Sequence, residues 1–190
     1  MILTLTGASG AGKTTITNLL LSRLPNAKRI ASHTTRSHRE TDPLGEYIYL
    51  NSSEFMKMDM NGEFLWTVKV HGDYYGTAVK LVDEALNDGD TVYIMVLVKV
   101  SISILTSYAQ AMAKANRVKS FYILSPGAEV LRGRLEKRGD DKETIERRLI
   151  GCAEWDSAAK RSNILFIFLK NDKELGETVD EIICAVSLDS

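Results

Sequence analysis

Residues 7–14 read Gly-Ala-Ser-Gly-Ala-Gly-Lys-Thr and fit G-x-x-x-x-G-K-[ST] without a mismatch. The run follows an apolar, β-favouring stretch, Ile2-Leu-Thr-Leu-Thr, and opens a pattern with Ile16, Leu19, Leu20 and Leu24 at helical spacing. Strand, glycine loop, helix is the context in which this motif binds phosphate. Glycines let the backbone turn sharply and approach a polyphosphate, so that successive N–H groups and the helix N-terminus point at its oxygens. Ala8, Ser9, Gly10, Ala11, Gly12, Lys13, Thr14 and Thr15 are the expected phosphate-binding set. Within it Lys13 supplies a point charge for the β- and γ-phosphates, and the Thr14 hydroxyl is placed to ligate Mg²⁺. The first expected ligand is therefore a purine nucleoside triphosphate.

The rest of the composition narrows what else the chain does. Its 190 residues suffice for one well-buried core. The hydrophobic share of 44% and charged share of 26% are those of a soluble globular protein, and no apolar run is long enough to cross a bilayer. A net charge of −1 gives no overall attraction to polymeric nucleic acid or to anionic membrane. Cys152 and Cys184 stand far apart without metal-ligand spacing, so two reduced thiols in a cytoplasmic protein are expected. The first strand starts almost at Met1, which leaves no room for a leader.

Strand and helix then alternate. A strand is expected over residues 29–33, a polar surface stretch over 34–45, strands over 47–50 and 62–70, and a turn at His71-Gly72-Asp73. Tyr74-Tyr-Gly-Thr77 is read as the entrance to a helix through Val82, Ala85 and Leu86. The apolar run 92–98 suits a central parallel strand covered on both faces, with a helix over about 101–114 after it. Two more strands, 118–124 and 164–169, alternate with helices. Such alternation implies an α/β fold with a parallel sheet and right-handed crossovers. Between residues 132 and 148 lie Arg132, Arg134, Lys137, Arg138, Arg147 and Arg148, interrupted by Gly139-Asp-Asp. With a polyphosphate already to be neutralised, an arginine-bearing lid is expected in preference to a plain solvated hairpin.

Taken together, these motifs resemble the guanylate kinase family, P-loop enzymes that phosphorylate GMP with ATP. The resemblance runs from residue 1 to about 186 and rests on several runs in order. They are the glycine loop, Ser32-His-Thr-Thr-Arg36 with Arg39, Gly62-Glu-Phe-Leu65, His71-Gly-Asp-Tyr-Tyr-Gly-Thr77, Leu135-Glu-Lys-Arg-Gly139 with Arg148, and Asn171-Asp172. It implies a three-layer P-loop NTPase fold with a central parallel sheet, a small β-rich monophosphate-binding subdomain and a helical lid. The core would comprise 1–31, 88–125 and 149–190, the subdomain 32–87 and the lid 126–148. By the same resemblance Arg36, Arg39, Tyr47 and Tyr75 hold the acceptor phosphate, and Ser32 and Thr77 lie near the base. Arg134, Arg138 and Arg148 clamp the transferring group with Lys13, and Asn171 lies near the donor adenine. ATP and Mg²⁺ are the implied cofactors.

The chain departs from the family where the base is read. Trp66 stands at the position of the glutamate that accepts hydrogen bonds from guanine, and Met95-Val96-Leu97 replaces Asp-Ile-Asp at the end of the central strand. Leaving two guanine N–H donors unpaired costs on the order of 1 to 3 kcal/mol each. The expectation is an ATP-dependent nucleoside monophosphate kinase, monomeric or homodimeric, for which GMP is a poor main acceptor. Trp66 and Met95 would line an altered base pocket. Two alternatives are a sugar-phosphate kinase resembling ribose 1,5-bisphosphate phosphokinase, and a non-catalytic guanylate-kinase-like binding module. The intact Gly12-Lys13-Thr14 counts against the module.

Overall fold

The computed structural model describes the chain except for residues 41, 71, 138, 172–174 and 188–190. In chain order the elements are β1 (Ile2–Thr6), α1 (Lys13–Arg23), β2 (Ala27–Arg29), β3 (Ser32–Thr34), β4 (Tyr47–Tyr49), α2 (Ser52–Met60), β5 (Phe64–Val70), β6 (Asp73–Ala78) and α3 (Val79–Asn87). They continue with β7 (Val92–Val96), α4 (Lys99–Ala111), β8 (Val118–Leu124), α5 (Ala128–Lys137), α6 (Lys142–Lys160), β9 (Phe166–Lys170) and α7 (Leu175–Ser187). The central sheet has the strand order β2-β7-β1-β8-β9, and a second sheet the order β4-β3-β6-β5. The α/β class expected from the alternation is thus observed.

Two corrections to the expected elements arise here. The run 29–33 is not one strand but the end of β2 and the start of β3, which belong to different sheets. Tyr74 to Thr77 does not enter a helix; it lies within β6, paired antiparallel to both β3 and β5. Adjacent tyrosines and a threonine favour a pleated, half-buried surface, and once both neighbouring strands are in place that preference outweighs capping by Thr77.

The chain divides into two compact units, Met1–Thr4 with Asn26–Lys119 and Leu5–Pro25 with Ser120–Ser190. In the first, β2 runs parallel to β7, and the small sheet carries α2 against β5. Asn51 and Glu54 close a capping box at the start of α2, which turns Phe55 inward to stack on Phe64 at 4.7 Å. Side chains alternate across the small sheet, so its pairing register puts Ser32, Tyr47, Tyr75, Thr77 and Trp66 on one face and His33, Ile48 and Gly76 on the other. In the second unit β8 runs parallel to β9, α1 packs on α7 with Arg23 on Asp180 at 2.7 Å, and α5 packs on α6. Ala8, Leu131, Leu135, Ile145 and Cys152 form a buried cluster there, which seats the lid helices on the glycine loop.

His33 illustrates the cost of burying a titratable ring. It lies edge-on to Phe64 at 5.3 Å, and its Nδ1 has no hydrogen-bond partner among the described residues. Burial pushes the imidazole down from its usual value, against a main-chain hydrogen bond at Gly76 and the charge of Glu63. The unfolded ring, titrating near 6.5, takes up its proton before the folded one does. Stability is therefore lost as pH falls below about 6.5, and the loss is complete below the folded value. We expect the melting temperature to drop between pH 7.5 and 5.5 by more in the wild type than in His33→Phe. Parallel pH profiles would assign the loss to other groups.

Candidate active site

The donor side is built from the second unit. Gly12 caps α1 in the left-handed region, φ 93°, and α1 has neither an acidic first-turn residue nor a side-chain cap. A helix N-terminus without a carboxylate in its first turn is a favourable place for an anion. Lys13 Nζ donates to Gly7 O at 2.7 Å and Ala8 O at 2.8 Å, which folds the ammonium back over the loop. A cavity of about 410 Å³ is lined by Ser9, Gly10, Gly12, Lys13, Thr14, Thr15, Arg134, Leu135 and Asn171. Residues of the glycine loop, of α5 and of the segment after β9, far apart in sequence, therefore line one cavity.

Arg134, on α5, donates to Gly10 O at 3.4 Å and Asn171 O at 3.2 Å, so it bridges the loop and the end of β9. Asn171 is buried, and its Nδ2 donates to Ala11 O at 2.6 Å. Its Oδ1 is buried without a partner among the described residues. Arg148, on α6, pairs with Asp140, and Arg132 with Glu146, so part of the lid charge is held within the lid. Arg138 and Asp172 lie outside the described residues. Asp156, not anticipated from sequence, ties α6 to the root of the lid by accepting from Tyr122 Oη at 3.0 Å and Ser125 N at 3.1 Å. Thr14 is exposed in the first turn of α1. No group of three or more carboxylate, histidine or cysteine side chains gathers among the described residues. Mg²⁺ keeps several waters and takes further oxygens from phosphate, and the Thr14 hydroxyl would be its ligand from this chain.

The residues expected on the acceptor side lie in the first unit. Arg36 is buried, its Nη2 donating to Asp42 Oδ1 at 2.8 Å, its Nη1 to Ser37 O at 3.0 Å, and its Cζ lying 5.0 Å from the Tyr47 ring centroid. Tyr47 and Tyr75 face each other at 6.1 Å. Burial, with Glu46 nearby, pushes the Tyr47 hydroxyl well above its usual value and keeps it a donor. Trp66 pairs across the strands with Thr77, whose hydroxyl is buried without a partner among the described residues. Trp66, Met95 and Leu97 are 5%, 2% and 7% exposed. Ser32 is half-buried, and Arg39 is exposed on the loop.

The profile of the guanylate kinase family matches residues 1–182. A guanylate kinase of Carboxydothermus hydrogenoformans is 34% identical over 175 residues, covering 92% of this chain and 82% of that protein. The guanylate kinase of Nitrosomonas europaea is 37% identical over 158 residues, 82% and 71% of the two chains. The crystal structure of guanylate kinase from Anaplasma phagocytophilum shares the fold with a TM-score of 0.72 at 24% identity, over 100% of this chain and 85% of that one. The chain belongs to the guanylate kinase family.

As a member of that family it is a phosphotransferase that uses ATP and Mg²⁺. No helix among the described residues is long and apolar enough to cross a membrane. Beside the residues expected from the guanylate kinase motifs, Asp42 on the loop and Tyr49 on β4 join the surroundings of Arg36 and Arg39. Tyr49 Oη donates to Asp42 Oδ2 at 2.6 Å, and Arg39 N donates to the same oxygen at 2.8 Å. In the sequence Asp42 reads only as half of an Asp-Pro turn signal; the arginine facing it could have raised suspicion.

Proposed function

We propose that this chain transfers the γ-phosphoryl group of ATP to a nucleoside monophosphate whose base is not selected as guanine. The supporting observation is that Trp66, paired with Thr77 across β5 and β6, is buried, as are Met95 and Leu97. By the family resemblance these three apolar residues take the positions of the guanine-reading carboxylates. With apolar side chains at those positions, a base carrying a pair of N–H donors loses its partners. Arg36 and Arg39 provide guanidinium forks for the acceptor phosphate, with the Tyr47 and Tyr75 hydroxyls as further donors. Lys13, Arg134, Arg138 and Arg148 stabilise the transferring group, and Mg²⁺ held at Thr14 draws charge from the donor phosphates. No strong base is required, because the acceptor phosphate oxygen is already anionic near neutral pH.

A coupled ADP-release assay with ATP·Mg²⁺ against ribo- and deoxyribonucleoside monophosphates tests the reading. We expect kcat/KM for GMP at least about tenfold below that of the preferred monophosphate, corresponding to about 1.4 kcal/mol or more. Trp66→Glu combined with Met95→Asp should narrow that gap. GMP as the best acceptor of the wild type would refute the altered selectivity and leave the kinase reading intact. One observation favours a sugar phosphate with no base. Burial of Trp66 leaves little of its ring face to stack on a nucleobase. Ribose 1,5-bisphosphate therefore belongs in the same panel.

A further inference from the structure

Asp42 lies at the centre of the loop that carries both acceptor arginines. Its Oδ1 accepts from Arg36 Nη2 at 2.8 Å, and its Oδ2 accepts from Tyr49 Oη at 2.6 Å and from Arg39 N at 2.8 Å. Its own N–H donates to Arg39 O at 2.9 Å, which closes a turn of four residues. A single carboxylate thus grips Arg36 by the guanidinium and Arg39 by the main chain. The Arg36 and Asp42 side chains are 9% and 11% exposed. A cation so enclosed needs a fixed partner; without one it is driven out toward water.

Arg36 is held from three sides, by Asp42, by Ser37 O and by the Tyr47 ring. Two of the five N–H donors of a guanidinium are used in these bonds, which leaves the others for an anion. Burial alone would push the Asp42 carboxyl up, but hydrogen bonds from Arg36, Tyr49 and Arg39 hold it well below the usual carboxylate range. The charge therefore persists at any pH at which the enzyme is assayed. The side chain reaches Arg36 through a direct contact, so what it sets is the direction of that fork.

We propose that Asp42 is a positioning residue that holds the Arg36 guanidinium and the Arg39 backbone in the arrangement that receives the acceptor's phosphate. The proposal rests on the reading that Arg36 and Arg39 bind that phosphate. A fork already oriented loses little side-chain entropy on binding, whereas a freed arginine must be ordered by the ligand itself. The effect should therefore fall on acceptor KM, with ATP KM spared and kcat reduced less.

The test compares wild type with Asp42→Asn, Asp42→Glu and Tyr49→Phe in the ADP-release assay, using the monophosphate of the panel that turns over fastest. Asp42→Asn should raise acceptor KM about tenfold and leave ATP KM within about twofold. Asp42→Glu, which keeps the charge, should recover much of that loss, and Tyr49→Phe should produce a smaller rise because the Arg36 pair survives. Inorganic phosphate is the second probe. Its protection of wild type against thermal unfolding should exceed its protection of Asp42→Asn, each measured as a shift from its own unliganded melting temperature. An unchanged acceptor KM, or a lower one, overturns the proposal; the lower value would mark Asp42 as a competitor of phosphate. Equal losses in ATP and acceptor KM would mark it as structural and also overturn it. Silence of the wild type across the panel would count against the kinase reading alone, and the phosphate titration would then decide the role of Asp42.

Discussion

With alanine at position 13, phosphoryl transfer from ATP falls by at least a hundredfold while the fold survives. The Lys13 ammonium is held over the glycine loop by Gly7 O at 2.7 Å and Ala8 O at 2.8 Å. Tethered in this way it forms a preorganised cation above the first turn of α1, where developing charge on the β- and γ-oxygens is met without reorganisation. Loss of one such group costs roughly 3 to 4 kcal/mol in the transition state, or 10² to 10³ in kcat. On the stability side the change removes two hydrogen bonds of a half-buried side chain, each worth about 1 kcal/mol net, and also releases a constrained lysine. The expected pattern is a collapsed rate and weakened ATP binding by calorimetry, with a melting temperature lower by a few degrees at most. Retention of more than about a tenth of wild-type kcat would show that the loop backbone and the lid arginines suffice by themselves.

Gly7→Ala should fail in the opposite way, by losing the fold of the loop first. A Cβ at this position would lie 2.4 Å from Ile123 O and 3.3 Å from Ile123 C. These are backbone atoms of β8, which cannot swing aside as a side-chain tip can. The residue also has φ 147°, where an L side chain is strained. Clash and strain together cost roughly 2 to 4 kcal/mol. For a chain of this size that lowers the melting temperature by about 5 to 15 °C, with ATP affinity lost alongside. Gly133→Ala is the control. It lies within α5, its Cβ would meet nothing within 4 Å, and alanine is the better helix former, so stability should hold or rise by up to about 1 kcal/mol. If Gly7→Ala melted like wild type, β8 would have to yield at Ile123 more readily than a paired strand should.

These two substitutions also mark the boundary between what local sequence specifies and what assembly adds. That Lys13 opens a helix and follows a glycine turn is a local matter, and the motif predicts it. That Gly7 must be glycine because of Ile123 depends on β8, which lies more than a hundred residues away. The misread stretch from Tyr74 to Thr77 has the same cause. Its side chains suit either a strand or a helix entrance, and pairing with β3 and β5 decides for the strand. Asp42 escaped notice because its partners, Arg36, Arg39 and Tyr49, follow no helical or strand period; a folded loop brings them to one carboxylate. Asp156 was hidden likewise, since Tyr122 and Ser125 meet it only once α6 has packed.

The sequence by itself determined the α/β alternation and the phosphate loop with Lys13 and Thr14, because hydrophobic period and glycine placement act over a few residues. Only the tertiary structure decided that Asn171 and Arg134 reach the loop, that Trp66 is buried opposite Thr77, whose hydroxyl has no partner among the described residues, and that Arg36 is held by Asp42. Each of these is a contact between segments distant along the chain or bent back on themselves. Such contacts follow from how elements pack, and packing depends on the whole set of neighbours at once.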